Sequence, residues 1–163
     1  MLKVRVIPIL LLQDGLLKKP VQFKRPRTIA NPITVVRVFE ERQVDELILL
    51  DIGLTVDKDE VDPQLVQDIA EELTVPFAFG GGISSVHTMT DIIQAGAEKI
   101  VVNTAAVENP ELISEGAKKF GKKSAASLGF AVPIIGDGAA AILVENGKNS
   151  YNNFHYWKMS TWS

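Results

Sequence analysis

One junction is written three times in this chain: an apolar, β-branched run is followed by Asn or Asp and then by a proline opening a helical pattern. Asn31-Pro32, Asp62-Pro63 and Asn109-Pro110 each set a capping side chain before proline at the first helical position, where its missing N–H costs nothing. The apolar runs Val4 to Leu12, Glu46 to Ile52, Val75 to Phe79, Lys99 to Val102 and Ser124 to Leu128 are nearly continuous, as expected for parallel strands covered on both faces. Another helix is expected from Ser85 to Gly96, with Val86, Met89, Ile92 and Ile93 on one face. Strand ends at Ile52, Gly80, Asn103 and Leu128 are spaced by 28, 23 and 25 residues, one βα unit per step. Repeated βα units mean an α/β fold with a parallel sheet, either doubly wound or closed as a barrel.

The loops that follow the strands favour a barrel, because barrels gather ligand chemistry at the C-terminal rim. Gln13 to Ala30 is long, basic and proline-containing, and reads as a functional loop over such a rim. The expected architecture is about five strands and four helices of a (β/α)8 barrel over residues 1–130. Residues 131–163 are a hairpin-like and irregular tail: Gly136-Asp137-Gly138 and Glu145-Asn146-Gly147 bracket Ala139 to Val144. A full barrel takes about 250 residues, and this chain has 163. Five strands alone leave an open edge, so the chain either assembles, by self-association or with a partner, or is a fragment.

Composition excludes several classes of function. A net charge of −3 with both signs mixed gives no footprint for nucleic acid or an anionic membrane. With no cysteine there is no disulfide or thiolate metal site, and His87 and His155 have no partner at metal-ligand spacing. Pro8 and Gln13-Asp14 interrupt the N-terminal apolar run, which reads as a buried strand rather than a signal peptide. No apolar run approaches the ~20 residues of a membrane helix. A cytoplasmic protein needing no cofactor is expected.

Candidate chemistry collects at strand ends. Gly80-Gly81-Gly82 lies between a strand and a helix, where bare backbone amides can approach an anion; phosphate is the natural ligand, and a plain tight turn is the alternative. Asn103-Thr104 offers an amide and a hydroxyl on the same rim. Asp51 closes its strand where barrel enzymes keep acids and bases, although it could equally bond loop amides. Lys18 and Lys19 could close over a phosphorylated ligand or simply be solvated. Trp157 and Trp162 fit packing better than stacking on a ligand.

Taken together, Arg5-Val6-Ile7-Pro8, Asp14-Gly15, Asp45-Glu46-Leu47, Leu50-Asp51-Ile52, Pro76 with Gly80-Gly81-Gly82-Ile83, and the run from Asn103-Thr104 to Asn109-Pro110 resemble the HisF family, the cyclase subunit of imidazole glycerol phosphate synthase. The resemblance is nearly gap-free over residues 1–121. It implies a synthase subunit, a lyase of histidine biosynthesis, in a two-component glutamine amidotransferase. A glutaminase (HisH-like) subunit would dock at the barrel bottom, ammonia would rise through the interior, and a phosphorylated substrate would react at the top. By position, Gly81, Gly82, Asn103 and Thr104 resemble the family's phosphate site, and Lys19 its first-loop active-site lysine, with Asp51 beside it. Arg5, Glu46 and Lys99 stand where the family has three members of a charged ammonia gate.

The departures from the family pattern are specific. Leu11 stands where the family has its general acid/base aspartate, and Ser127-Leu128-Gly129-Phe130 lacks the second one. A leucine transfers no proton. Leu11 and the segment Val21-Gln22-Phe23-Lys24-Arg25-Pro26 are more similar to the HisF-like branch associated with acetamidino sugars, in which the barrel hands ammonia to a separate enzyme. The alternative expectation is a non-catalytic half-barrel or phosphate-binding module.

Overall fold

The computed structural model describes residues 5–21, 24–54, 61–120 and 128–130. The strands are β1 (Ile9–Gln13), β2 (Leu16–Val21), β3 (Lys24–Ala30), β4 (Leu47–Asp51), β5 (Phe77–Gly80), β6 (Lys99–Val102) and β7 (Leu128–Phe130). The helices are α1 (Pro32–Glu41), α2 (Pro63–Glu71), α3 (Val86–Gln94), α4 (Thr104–Glu108) and α5 (Glu111–Phe120). They form one sheet in the order β3-β2-β1-β4-β5-β6-β7. β1, β4, β5, β6 and β7 run parallel, in register Leu11↔Leu50, Leu50↔Gly80, Gly80↔Val101 and Val101↔Gly129.

Two observations decide between a doubly wound sheet and a barrel wall. Each parallel strand is added beside the previous one with no reversal of order, whereas a doubly wound sheet reverses at a switch point. The helices also cover only one face. Leu12, Leu47, Leu49, Phe77, Phe79, Ile100 and Val102 pack with Val36, Val66, Ile69, Met89, Ile92 and Leu112 of the helices. The alternate strand residues Ile48, Ala78 and Val101, joined by Ile7 and Leu50, form a separate small cluster without helical members. Helices outside and a second apolar face inside describe the wall of a (β/α) barrel, here open rather than closed. Ile9 on that inner face is 49% exposed, whereas Leu12 beside it on the helix side is fully buried.

The helix starts follow from their caps. Asn31 Oδ1 accepts from Ile33 N at 2.9 Å, Asp62 Oδ1 from Gln64 N at 2.9 Å and Ser85 Oγ from Thr88 N at 3.1 Å. Pro32 and Pro63 occupy the first helical positions. The third Asn-Pro junction differs from the expectation. Thr104–Glu108 is already helical, Asn109 caps the C-terminal end of that turn, and α5 begins only at Glu111.

The expected loop from Gln13 to Ala30 is instead an antiparallel hairpin, β2 with β3, added to the edge of β1. Asp14 and Gly15 have φ of 54° and 68°, the paired left-handed conformation that a two-residue hairpin turn requires. The first strand is also shorter than expected and starts at Ile9. Its extended lead still pairs, since Asp45 N donates to Val6 O and Ile48 N to Pro8 O. The expected strand from Ser124 is seen as Leu128–Phe130, with Ser124 to Ser127 outside the described residues. The expected tail, residues 131–163, with His155, Trp157 and Trp162, also lies outside them. Among the described residues no helix is long and apolar enough to cross a membrane, and no group of three or more His, Cys, Asp or Glu could hold a metal.

Candidate functional site at the two ends of a barrel wall

At the N-terminal end of the parallel strands, strand alternation turns Glu46 and Lys99 inward, below Ile48 and Val101. Glu46, fully buried, accepts from Lys99 Nζ at 2.7 Å through Oε1 and from Arg5 Nη2 at 3.1 Å through Oε2. The structure thus brings together Arg5 in the lead to β1, Glu46 just before β4 and Lys99 at the start of β6. A carboxylate removed from water costs several kcal/mol unless paired and hydrogen-bonded, and here both oxygens are used. Two cations to one carboxylate leave the cluster with one excess positive charge. Arg5 remains 47% exposed, so the cluster has a wet side and a dry side: Lys99 is 7% exposed.

At the opposite end the glycine turn is built by backbone. Gly81 has φ +116°, and a Cβ there would overlap the Asp51 carbonyl; Gly82 has φ +63°, and its Cβ would lie 2.8 Å from that of Leu54. Only glycine lets the segment after β5 press against the end of β4. Asp51 is half-buried, and its Oδ1 accepts from Gly53 N at 2.9 Å and Leu54 N at 3.4 Å. The carboxylate therefore orders the loop after its own strand. Asn103 and Thr104, both exposed, follow β6 immediately, next to the glycines in the register Gly80↔Val101. Three consecutive strand ends thus bring Asp51, Gly81-Gly82 and Asn103-Thr104 onto one rim.

Lys19 lies apart from that group. β2 meets β1 in the register Leu11↔Lys18 and Leu12↔Leu17, and Leu17 is buried with the helix-side core. Lys18 therefore shares the inner face with Leu11, while Lys19 takes the other face, exposed and directly opposite Arg27. Lys18 is the residue that sequence reading left undistinguished. The signal was there: a two-residue Asp14-Gly15 turn forces the pairing of residue 13 with 16, 12 with 17 and 11 with 18. His87 is exposed in the first turn of α3 and pairs with Asp91 one turn away, at 2.7 Å.

An inner face with a charge cluster at the N-terminal end of its strands and a glycine rim at the other defines this chain as a segment of a (β/α) barrel. A profile of the family described as "Histidine biosynthesis protein" matches residues 5–157, and the chain belongs to that family. It is 44% identical over 121 residues to the imidazole glycerol phosphate synthase subunit HisF of Thermococcus onnurineus, covering 74% of this chain and 48% of that protein. It is 41% identical over 123 residues to the HisF subunit of Streptococcus mutans (76% and 49%), and 44% identical over 123 residues to that of Desulfatibacillum aliphaticivorans (76% and 47%). The chain spans about half the length of the curated relatives it matches.

Proposed function

We propose that this chain is the N-terminal part of a cytoplasmic HisF-type synthase subunit that takes ammonia from a glutaminase at the N-terminal ends of its strands. A phosphorylated ligand would be held at the C-terminal ends. The observation that carries the reading is the Arg5–Glu46–Lys99 cluster, buried at Glu46 and Lys99 and set at the foot of an apolar inner face whose other end is the glycine rim. Buried charge at the foot of a barrel has no ligand of its own to meet, since barrels keep ligand chemistry at the other end. A gated passage for a small neutral molecule gives it a purpose: Ile7, Ile48, Ala78 and Val101 above it offer no partner to an ammonium ion. At the rim, Gly81, Gly82, Asn103 and Thr104 would supply amide and hydroxyl donors to phosphate.

Leu11 supports a narrower form of this reading. It occupies the inner face near the rim, opposite Leu50, where proton transfer would need an ionisable group. A wall that is aliphatic up to the rim suits the relay of ammonia to another enzyme, as in the acetamidino-sugar branch, better than ring closure. Asp51 would then act in loop order rather than in proton transfer, and Lys19, on the other face of the sheet, would take no part in the rim.

The test mixes the purified chain with a HisH-type glutaminase and follows glutamine hydrolysis with and without a phosphorylated ligand. Stimulation that disappears in Glu46→Leu supports the reading, and unchanged turnover overturns it. Protection of the chain against thermal unfolding by phosphate, lost in Thr104→Val and Gly82→Asp, isolates the rim from the gate. Protection without any effect on the glutaminase would favour the phosphate-binding module. Sedimentation of the chain alone tells whether a second copy covers the inner face.

A further inference from the structure

We propose that this chain pairs with a second copy of itself, the β2–β3 hairpin of each protomer docking on α2 of its partner, with Lys19 and Arg27 against Asp68 and Glu71. The pairing is independent of the gate and of the phosphate rim. Charge is divided unevenly along the chain. Residues 16–30 hold five of its 17 Lys and Arg and none of its 20 Asp and Glu. Residues 61–72 hold four acids, Asp62, Asp68, Glu71 and Glu72, and no Lys or Arg. One surface is therefore basic throughout and another acidic throughout, on a chain whose net charge is only −3.

The hairpin register sets Lys19 directly opposite Arg27, both exposed and on the helix side of the sheet. Side chains so placed stand about 5 Å apart at Cβ, and like charges there repel. Lys18, on the inner face, has Asp14 and Thr28 as partners. Lys19 and Arg27 have no hydrogen bond or ion pair among the described residues. On α2 the exposed stripe is Gln64, Gln67, Asp68 and Glu71. Gln64 donates to Asp68 at 2.7 Å and Gln67 to Glu71 at 3.0 Å, so neutral amides hold both carboxylates, and no cation meets either among the described residues. Arg37 of α1, which packs against α2, is already taken by Glu72. Three residues apart on a helix, Asp68 and Glu71 also stand about 5–6 Å apart at Cβ. Two cations and two carboxylates thus match in sign and in spacing without meeting inside one protomer. A second copy carries both surfaces, and a two-fold axis makes the hairpin-to-helix contact twice, which closes the pair. Cations on an edge strand also keep other strands from adding to it. That guard works with charge of either sign, whereas docking on α2 requires this one.

The experiment is analytical sedimentation of the full chain in about 0.01 M salt, where charges act over about 30 Å, and in about 1 M salt, where they are screened within about 3 Å. Wild type should form dimers in the first and dissociate in the second. The variant Lys19→Glu, Arg27→Glu sets an acidic hairpin against an acidic helix, and Asp68→Lys, Glu71→Lys sets basic against basic. Each should raise the dissociation constant about tenfold or more in low salt. An equimolar mixture of the two variants brings opposite signs together at both contacts, so it should dimerise like wild type. That recovery also shows that both variants are folded. A wild type that is monomeric in low salt overturns the pairing, as do reversed variants that dimerise unchanged or a mixture that stays monomeric. Association that strengthens with salt overturns it too, and points instead to burial of the apolar inner face.

Discussion

The two ends of the wall solve opposite problems with opposite materials. At the N-terminal end, side chains do the work: a fully buried carboxylate is saturated by Lys99 and Arg5, and none of the three residues has a left-handed backbone. At the rim, backbone does the work: Gly81 and Gly82 have positive φ and press against Asp51 at the end of β4 and against Leu54 just after it, while Asn103 and Thr104 stand exposed. The first arrangement uses both oxygens of its carboxylate, and the second leaves Asn103 and Thr104 exposed to solvent. The same sheet can carry both because alternation sends its other residues into one helix-side core.

The comparison breaks first at Glu46. Glu46→Gln keeps the shape but leaves Lys99 buried beside a neutral amide, and should cost about 3–5 kcal/mol in urea unfolding. A loss below about 1 kcal/mol would mean that water already reaches the cluster, contrary to the burial of Glu46 and Lys99. The double variant Glu46→Leu, Lys99→Met should recover much of the loss, because the cost lies in the orphaned charge.

Gly81→Ala tests the other end. The left-handed backbone alone costs a side chain about 1–3 kcal/mol, and overlap with the Asp51 carbonyl adds to that. Unlike Glu46→Gln, it should also abolish phosphate protection, since the turn must move. Stability loss with protection intact would separate the turn from the binding site.

Much of this contrast was legible before any coordinates. Strand period, proline junctions and the glycine triplet are local signals, and they located the parallel strands, three helix starts and both ends of the wall. Capping at Asn31, Asp62 and Ser85 is decided within three residues, so it could be read directly. The hairpin after β1 was missed because basic residues and Pro20 and Pro26 obscured the strand pattern, although Asp14-Gly15 marked the turn. The consequence reached the site, since an unrecognised hairpin hides which lysine faces inward. Asn109 was misread for a related reason: an Asn-Pro pair that closes one helical turn looks the same as one that opens the next. The pairing of Glu46 with two cations depends on residues 41 and 53 positions away, which no local pattern specifies.

Asp51 lies between the two modes, a side chain that orders backbone. Asp51→Ala frees the Gly53 and Leu54 amides and should cost about 1–2 kcal/mol, with weaker phosphate protection. Asp51→Asn retains an acceptor oxygen and should stay within ~0.5 kcal/mol of wild type. If Asn is as costly as Ala, the carboxylate's charge rather than its geometry matters, and a role beyond loop order follows.

The smallest expected effect lies in the helical ring outside the N-terminal end. Arg37 on α1 donates to both Glu72 oxygens, at 2.6 and 2.5 Å, and this hydrogen-bonded pairing holds the Glu72 carboxyl below the usual carboxylate range while raising Arg37. Thr74 does the same for Glu40, donating to it through its hydroxyl and its amide. A carboxyl whose pKa is lower in the folded state stabilises the fold above the unfolded pKa, and that contribution is lost as pH falls through the folded one. Both carboxyls are partly open to solvent, so screening keeps the effect modest. The melting temperature of Arg37→Met should therefore fall slightly below wild type at neutral pH. The gap should close as pH drops below the ordinary carboxylate range, and also in about 1 M salt. The Glu46 cluster, sealed from solvent on its Lys99 side, should keep most of its Glu46→Gln penalty in the same salt. A penalty that salt erases at both places would make the Glu46 cluster an ordinary surface pair and remove the distinction between the two ends.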